Sequence, residues 1–296
     1  MPAGSAQIAF REETGFLEPD TEGTWYQPGL DVTVTPEIDN ELTRNRQPDD
    51  TMPAGSREGN AILSLDVEFT MTDDNWLSLL PFDGGSLSGG ARLAPTAEWY
   101  LDTKYVDTDL AIDEDFITFG GAAVESATVN FNDGEDVTVS LSILAADLVD
   151  SEADTIEQPS IDDVFTQHSV DLEIGGRTQE SMQTATLSMN SLARRQEQQE
   201  RTPRAMVVGG IEAELESDAL FTQVDQLELA AGGSTTSVGD LIDGEDGTLS
   251  FENAQADVVD FNLTHAQPAN YSWNALVDPE TSLSEAVTYH LRDVGI

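Results

Sequence analysis

The chain is 296 residues long, and its 57 Asp and Glu face only 12 Lys and Arg, for a formal net charge of −45. So few cations exclude nonspecific nucleic-acid binding, which needs arrays of Lys and Arg to displace counterions from phosphate. The absence of cysteine excludes disulfides, thiolate nucleophiles and Cys-based metal sites.

Acidity here coexists with order, because 39% of the residues are apolar and they fall in regular patterns. At molar salt the Debye length is about 3 Å, so neighbouring carboxylates repel little and a dense acidic coat keeps a protein hydrated. The composition therefore reads as that of a halophilic protein.

The N-terminus, MPAGSAQIAFREE, has no basic segment followed by an apolar one, so no secretory signal is expected. No apolar run approaches the ~18 residues of a membrane-spanning helix. Synthesis in the cytoplasm, without membrane insertion, is the expectation.

Strands are predicted along the whole chain. Ala61, Leu63, Leu65, Val67, Phe69 and Met71 alternate with Ser64, Asp66, Glu68 and Thr70, which gives one dry and one wet face. Val137, Val139, Leu141 and Ile143 repeat the pattern, as do Ala185, Leu187 and Met189, and then Ile211, Ala213 and Leu215. Two short helices are predicted to cover the sheet. Asp73 is placed to cap one carrying Trp76, Leu77 and Leu80, and Ser217 to cap one carrying Leu220, Phe221 and Val224. Turns are read at Asp83-Gly84-Gly85, Asn132-Asp133-Gly134, Asp243-Gly244 and Asp246-Gly247. The pairs Gly120-Gly121, Gly175-Gly176 and Gly209-Gly210 are assigned to strand edges where turns or bulges need positive φ.

The stretch Ser151–Asp163 is polar, acidic and carries Pro159, which marks it as a linker. It divides the chain into two β-domains, residues 1–155 and 156–296. The halves echo one another. Asn40-x-Leu42-x-Arg44 recurs as Asn190-x-Leu192-x-Arg194, Gly59 and Leu65 match Gly209 and Leu215, and Val129-x-Phe131-Asn132 matches Val259-x-Phe261-Asn262. The ordered set predicts an internal duplication.

Catalytic and metal motifs are not found. His168, His265 and His290 are far apart with no ligand spacing, and no nucleophile elbow, phosphate loop or dinucleotide turn occurs. Carboxylates are too abundant for a glycosidase pair to stand out. No enzyme activity and no cofactor are predicted.

The arginines are the exception to the acidic background. Arg194, Arg195, Arg201 and Arg204 cluster in one loop, and Arg44, Arg46 and Arg57 occupy the matching loop of the first half. A guanidinium fork suits carboxylate pairing better than an ammonium does, so all seven are assigned to contacts between subunits, the alternative being solvated loop charges or pairs within one subunit.

Several stretches carry a resemblance to a known family. They are Glu12-Glu13-Thr14-Gly15, Arg57-Glu58-Gly59 leading into the strand Ala61–Met71, Phe119-Gly120-Gly121 followed by Val124-Glu125-Ser126, and above all Ser181–Phe221. In these the chain resembles the larger tail tube proteins of siphovirus-type tailed viruses, with an acidity like that of a haloarchaeal virus. The resemblance implies an all-β fold of tandem sandwich or barrel domains with one or two short helices. It implies subunits that form trimeric pseudo-sixfold or hexameric rings, stacked into a hollow virion tail tube for DNA delivery. Implied partners are the chain itself, tail terminator and tail-tip proteins at the tube ends, and genomic DNA passing without specific binding. The alternative reading is another halophilic structural protein, a capsid decoration or surface-layer-like β-module.

Overall fold

The alternating segments form strands because each can bury one face and solvate the other. The computed structural model describes residues 7–45, 55–57, 59–87, 90, 92–102, 116–179, 181–239, 242–274 and 283–296. It is mostly β, with one α-helix and two 3-10 turns among those residues.

The first half gives β1 (Ile8–Gly15), β2 (Glu18–Pro19), β3 (Trp25–Tyr26), β4 (Leu30–Asp39), β5 (Thr43–Asn45), β6 (Gly55–Arg57), β7 (Ile62–Thr70), β8 (Ala97–Asp102), β9 (Phe116–Asn132), β10 (Thr138–Ala145) and β11 (Asp147–Val149). After β12 (Ile156–Glu157), the second gives β13 (Phe165–Ile174), β14 (Arg177–Thr178), β15 (Met182–Asn190), β16 (Ala193–Gln196), β17 (Ala205–Val208), β18 (Glu212–Leu220), α1 (Asp225–Ala231), β19 (Glu245–Asn253), β20 (Val258–Asn274), β21 (Ser284–Leu291) and β22 (Asp293–Gly295).

One antiparallel sheet runs through both halves in the order β4–β7–β10–β9–β15–β18–β21–β20. Two smaller sheets share its core: β12–β3–β1–β8–β9–β11 and β14–β13–β19–β20–β22. The dry sides meet in a single apolar cluster in which Leu65, Phe69, Trp76, Trp99, Leu187, Phe261 and Tyr289 are all fully or almost fully buried. Arg11 and Glu98 form a buried ion pair in the first half, and the Arg11 guanidinium lies 4.5 Å over the Trp25 ring.

β9 and β20 each span 17 residues and serve both layers. Each passes from a smaller sheet into the large one at a residue of positive φ, Gly121 at 61° and His265 at 53°. The two halves thus repeat one strand order, β4–β7–β10–β9 and β15–β18–β21–β20, with a hairpin leaving at the same point of each, β5–β6 and β16–β17. The pairing even slips at matching places, after Ser142 in β10 and between Pro268 and Asn270 in β20.

Three expectations are corrected. Ser217 caps no helix. It is buried within β18, where Ala213, Leu215 and Ala219 continue the strand alternation, and the helix begins only at Asp225 and ends at Gly232 in the left-handed region. The matching segment after Asp73 is a 3-10 turn, Asn75–Leu79, whose start is fixed by the Asn75 N–H donating to Asp73 Oδ1 at 2.9 Å. Finally, Val129–Asn132 and Val259–Asn262 are not equivalent places. The former pairs with β10 and β15 in the large sheet, the latter with β19 in a smaller one; residues that alternate alike need not share a position.

The acidic stretch 151–163 is anchored rather than free. Ile156 and Glu157 pair in parallel with Trp25 and Tyr26, and Ser160 closes a capping box with Asp163.

Candidate functional site

Among the described residues no group of three or more His, Asp or Glu is placed to hold a metal ion. His290 Nδ1 lies 3.1 Å from Glu214 and His265 Nε2 lies 3.9 Å from Asp243, while the side chain of His168 is outside the described residues. No described helix is long and apolar enough to cross a membrane. What the fold offers is three surfaces: an open sheet face, two outer edges and an arginine hairpin.

The open face of the large sheet carries the wet half of every alternation. Asp66 and Glu68 of β7 and Glu212, Glu214, Glu216 and Asp218 of β18 stand on it, between hydroxyl-bearing β9, β10 and β15. Ser142 donates to Asp66 at 2.8 Å and Thr184 to Asp218 at 3.2 Å, which holds these carboxylates in place. A groove of about 390 Å³ runs over Thr33, Asp66, Glu68, Thr128 and Ser142. No described Lys or Arg lies on this face, so its field is uniformly negative.

The outer strand β4 and the Gln267–Asn274 part of β20 each have a partner on one side only among the described residues. Ile38 on β4 is 53% exposed and Trp273 on β20 is 44% exposed. Both point to the face that is dry elsewhere, since Ile38 lies beside Leu63 and Trp273 beside Glu285. Unpaired edges of this kind invite another strand.

The arginine hairpin of the second half lies on the first half. Val208 N–H donates to the Arg92 carbonyl and Ala94 N–H to that of Met206, both at 3.1 Å, and Ala193 and Met206 pack on Ala94, Ala123 and Ala146. Gly209 permits the close turn: a Cβ there would stand 2.1 Å from the Ser191 carbonyl oxygen. That is crowding, not positive φ, so this glycine pair differs from Gly175-Gly176, whose φ angles are 62° and 73°. Arg195 Nη2 donates to the Ala61 carbonyl at 2.7 Å and Arg201 Nη2 to Asn40 Oδ1 at 2.6 Å. These two therefore hold the halves of one chain together. Arg194 and Arg204 are exposed. Arg44 and Arg57 lie on β5 and β6 with side chains outside the described residues, as is the whole of Arg46. Sequence reasoning missed Arg92, which joins Arg194 and Arg195 around a cavity of about 520 Å³; a single cation beside a glycine-rich stretch carries no signal of that.

Buried and half-buried carboxylates serve structure. Glu13 accepts from Gly121 N–H at 2.8 Å and Leu17 N–H at 3.1 Å, tying two of the family-like motifs together, and burial pushes its pKa up. Burial likewise raises Asp73 and Glu285; the latter accepts from Tyr271 Oη at 2.7 Å.

The chain belongs to the phage tail tube protein family, whose model matches residues 4–284. The chain is a structural subunit of a viral tail tube, a component of the virion tail that self-assembles into a polymeric tube. No curated protein matches the sequence.

Proposed function

We propose that the chain closes into rings through β4 and β20, and that the stacked rings form a hollow conduit for DNA delivery into the host cell. The observation that carries this is the join between the halves. Inside one chain the last strand of the first four, β9, pairs antiparallel with the first strand of the next four, β15, from Ala127–Met189 to Asn132–Thr184. β20 holds the place of β9 and β4 that of β15, so one copy's β20 meets the next copy's β4 by the same join. The matching register sets Tyr271 opposite Ile38, Ser272 opposite Glu37 and Trp273 opposite Pro36. Inside the chain, the corresponding Met189, Ala127, Leu187 and Val129 are all buried. The ring ladder thus covers the exposed apolar side chains of both edges.

In this reading residues 1–155 and 156–296 are two tail-tube-type domains produced by duplication, and three copies give a pseudo-sixfold wall. The open sheet face lines the bore. Asp66, Glu68, Glu212, Glu214, Glu216 and Asp218 then repel the phosphate backbone, so genomic DNA passes without specific binding. Terminator and tip proteins close the ends of a siphovirus-type tail, and the net charge suits a haloarchaeal virus, because brine screens the repulsion among carboxylates. Electron microscopy of the purified chain in about 2–4 M salt tests the reading, the range being chosen for screening. Hollow rods with a wall one chain thick support it; monomers or flat lattices overturn it and favour a decoration or surface-layer module.

A further inference from the structure

Arg92, Arg194 and Arg195 surround the cavity of about 520 Å³ beside the β16–β17 hairpin, with Glu197 the one acidic residue lining it. In a chain with 12 Lys and Arg in total, three guanidinium groups around one cavity are a marked local excess of positive charge. The Arg195 side chain is only 6% exposed. Its Nη2 reaches the Ala61 carbonyl and its Nε lies 3.3 Å from Glu197, yet among the described residues buried Nη1 has no hydrogen-bond partner, and Nε none of good geometry. A buried charged donor left unmade costs more than an ordinary hydrogen bond contributes, and beside it the exposed guanidinium groups of Arg92 and Arg194 are open to an acceptor from outside.

The strand directions say where one is found. The hairpins β5–β6 and β16–β17 leave the large sheet at one end of its strands, and the turn joining β9 to β10 closes the opposite end. Residues 132–136 of that turn are exposed throughout, and they carry Asp133, Glu135 and Asp136. One end of the sheet therefore presents guanidinium groups and the other a carboxylate cluster, which is the polarity of a head-to-tail contact.

We infer that the Arg92–Arg194–Arg195 cavity is a carboxylate receptor that takes the Asp133–Asp136 turn of a second copy in the next ring. The inference rests on the ring reading above and adds the stacking contact to it. Arginine forks bind carboxylates in two-bonded geometry, and partial burial shields such pairs from the salt that screens exposed ones.

The test is a charge exchange. Arg92→Glu with Arg194→Glu alters two exposed side chains, so folding is retained, and the stacks shorten at least tenfold by electron microscopy while single rings persist by sedimentation. Adding Asp133→Arg and Glu135→Arg in the same chain restores stacking. Stacks of wild-type length in the double variant, or no recovery in the quadruple variant, overturn the receptor while leaving the ring reading intact. A wild-type chain that forms no rings overturns both.

Discussion

Ile38 and Trp273 stand on opposite outer strands of one sheet, 53% and 44% exposed, at the places where Met189 and Val129 are buried in the middle of that sheet. The difference is in what lies beside them. Met189 and Val129 have a strand on each side, whereas in the large sheet β4 and the Gln267–Asn274 part of β20 have one described neighbour each. Covering a large apolar side chain is worth about 1.5–3 kcal/mol. Trp273→Ala is expected to weaken association between copies about 10- to 100-fold, measured by sedimentation equilibrium, with the monomer's unfolding midpoint unchanged. An unaltered association constant would remove the edge from the interface.

The Arg11–Glu98 pair gives a stability prediction independent of assembly. Glu98 is 2% exposed and has Arg11 as its cationic partner. Arg11→Ala leaves that carboxylate uncompensated and costs about 3–5 kcal/mol, whereas the joint change Arg11→Met with Glu98→Leu costs far less, because removing both charges removes the desolvation penalty. Denaturant unfolding of the two variants in high salt decides; equal losses would mean that the pair acts through packing alone.

Buried and half-buried carboxylates set a pH dependence. Glu13, Asp73 and Glu285 all have their pKa raised in the fold, chiefly by burial. A folded pKa above the unfolded one means that the folded state binds protons more tightly. Their contribution is therefore full below the ordinary carboxylate range and is lost as pH rises through the raised values. At constant high salt the unfolding midpoint should fall as pH climbs from the ordinary carboxylate range toward neutrality. Glu285→Gln, which keeps an acceptor for Tyr271 without the charge, should flatten that slope and raise the midpoint at neutral pH by about 2 °C, roughly 1 kcal/mol for a chain of this size. A midpoint in that variant that tracks the wild type across the range would contradict the assignment.

Much of the fold is legible in the sequence because period-two alternation is a local property. Leu63, Leu65, Val67 and Phe69 specify a half-wet strand whatever lies next to it. Four features were not legible in this way. Ser217 carries the chemistry of a helix cap, but its neighbours Leu215 and Ala219 keep the strand period, and burial overrides the cap. His265 takes a positive φ that ordinarily marks glycine, so nothing in its identity announces the bend that Gly121 makes openly in the first half. The arginine loop left two readings open, contacts between subunits or pairs within one, and the sequence could not show that Arg195 and Arg201 bond inside the chain, since the partners Ala61 and Asn40 are distant in sequence. Alternation also cannot reveal that Ile38 and Trp273 lie on edges, because it reports faces and not neighbours.

The closure of the sheet by identical copies can be tested covalently, since the chain has no cysteine of its own. Directly opposed residues of an antiparallel pair have Cα atoms about 4.5–5.5 Å apart, within disulfide reach. The variant Ile38→Cys with Tyr271→Cys, oxidised after assembly and run under denaturing conditions, should give a ladder that ends at covalently closed trimers, with either single-cysteine variant staying monomeric. Absence of cross-links in assembled material, or a ladder running past three copies, would contradict the three-copy ring.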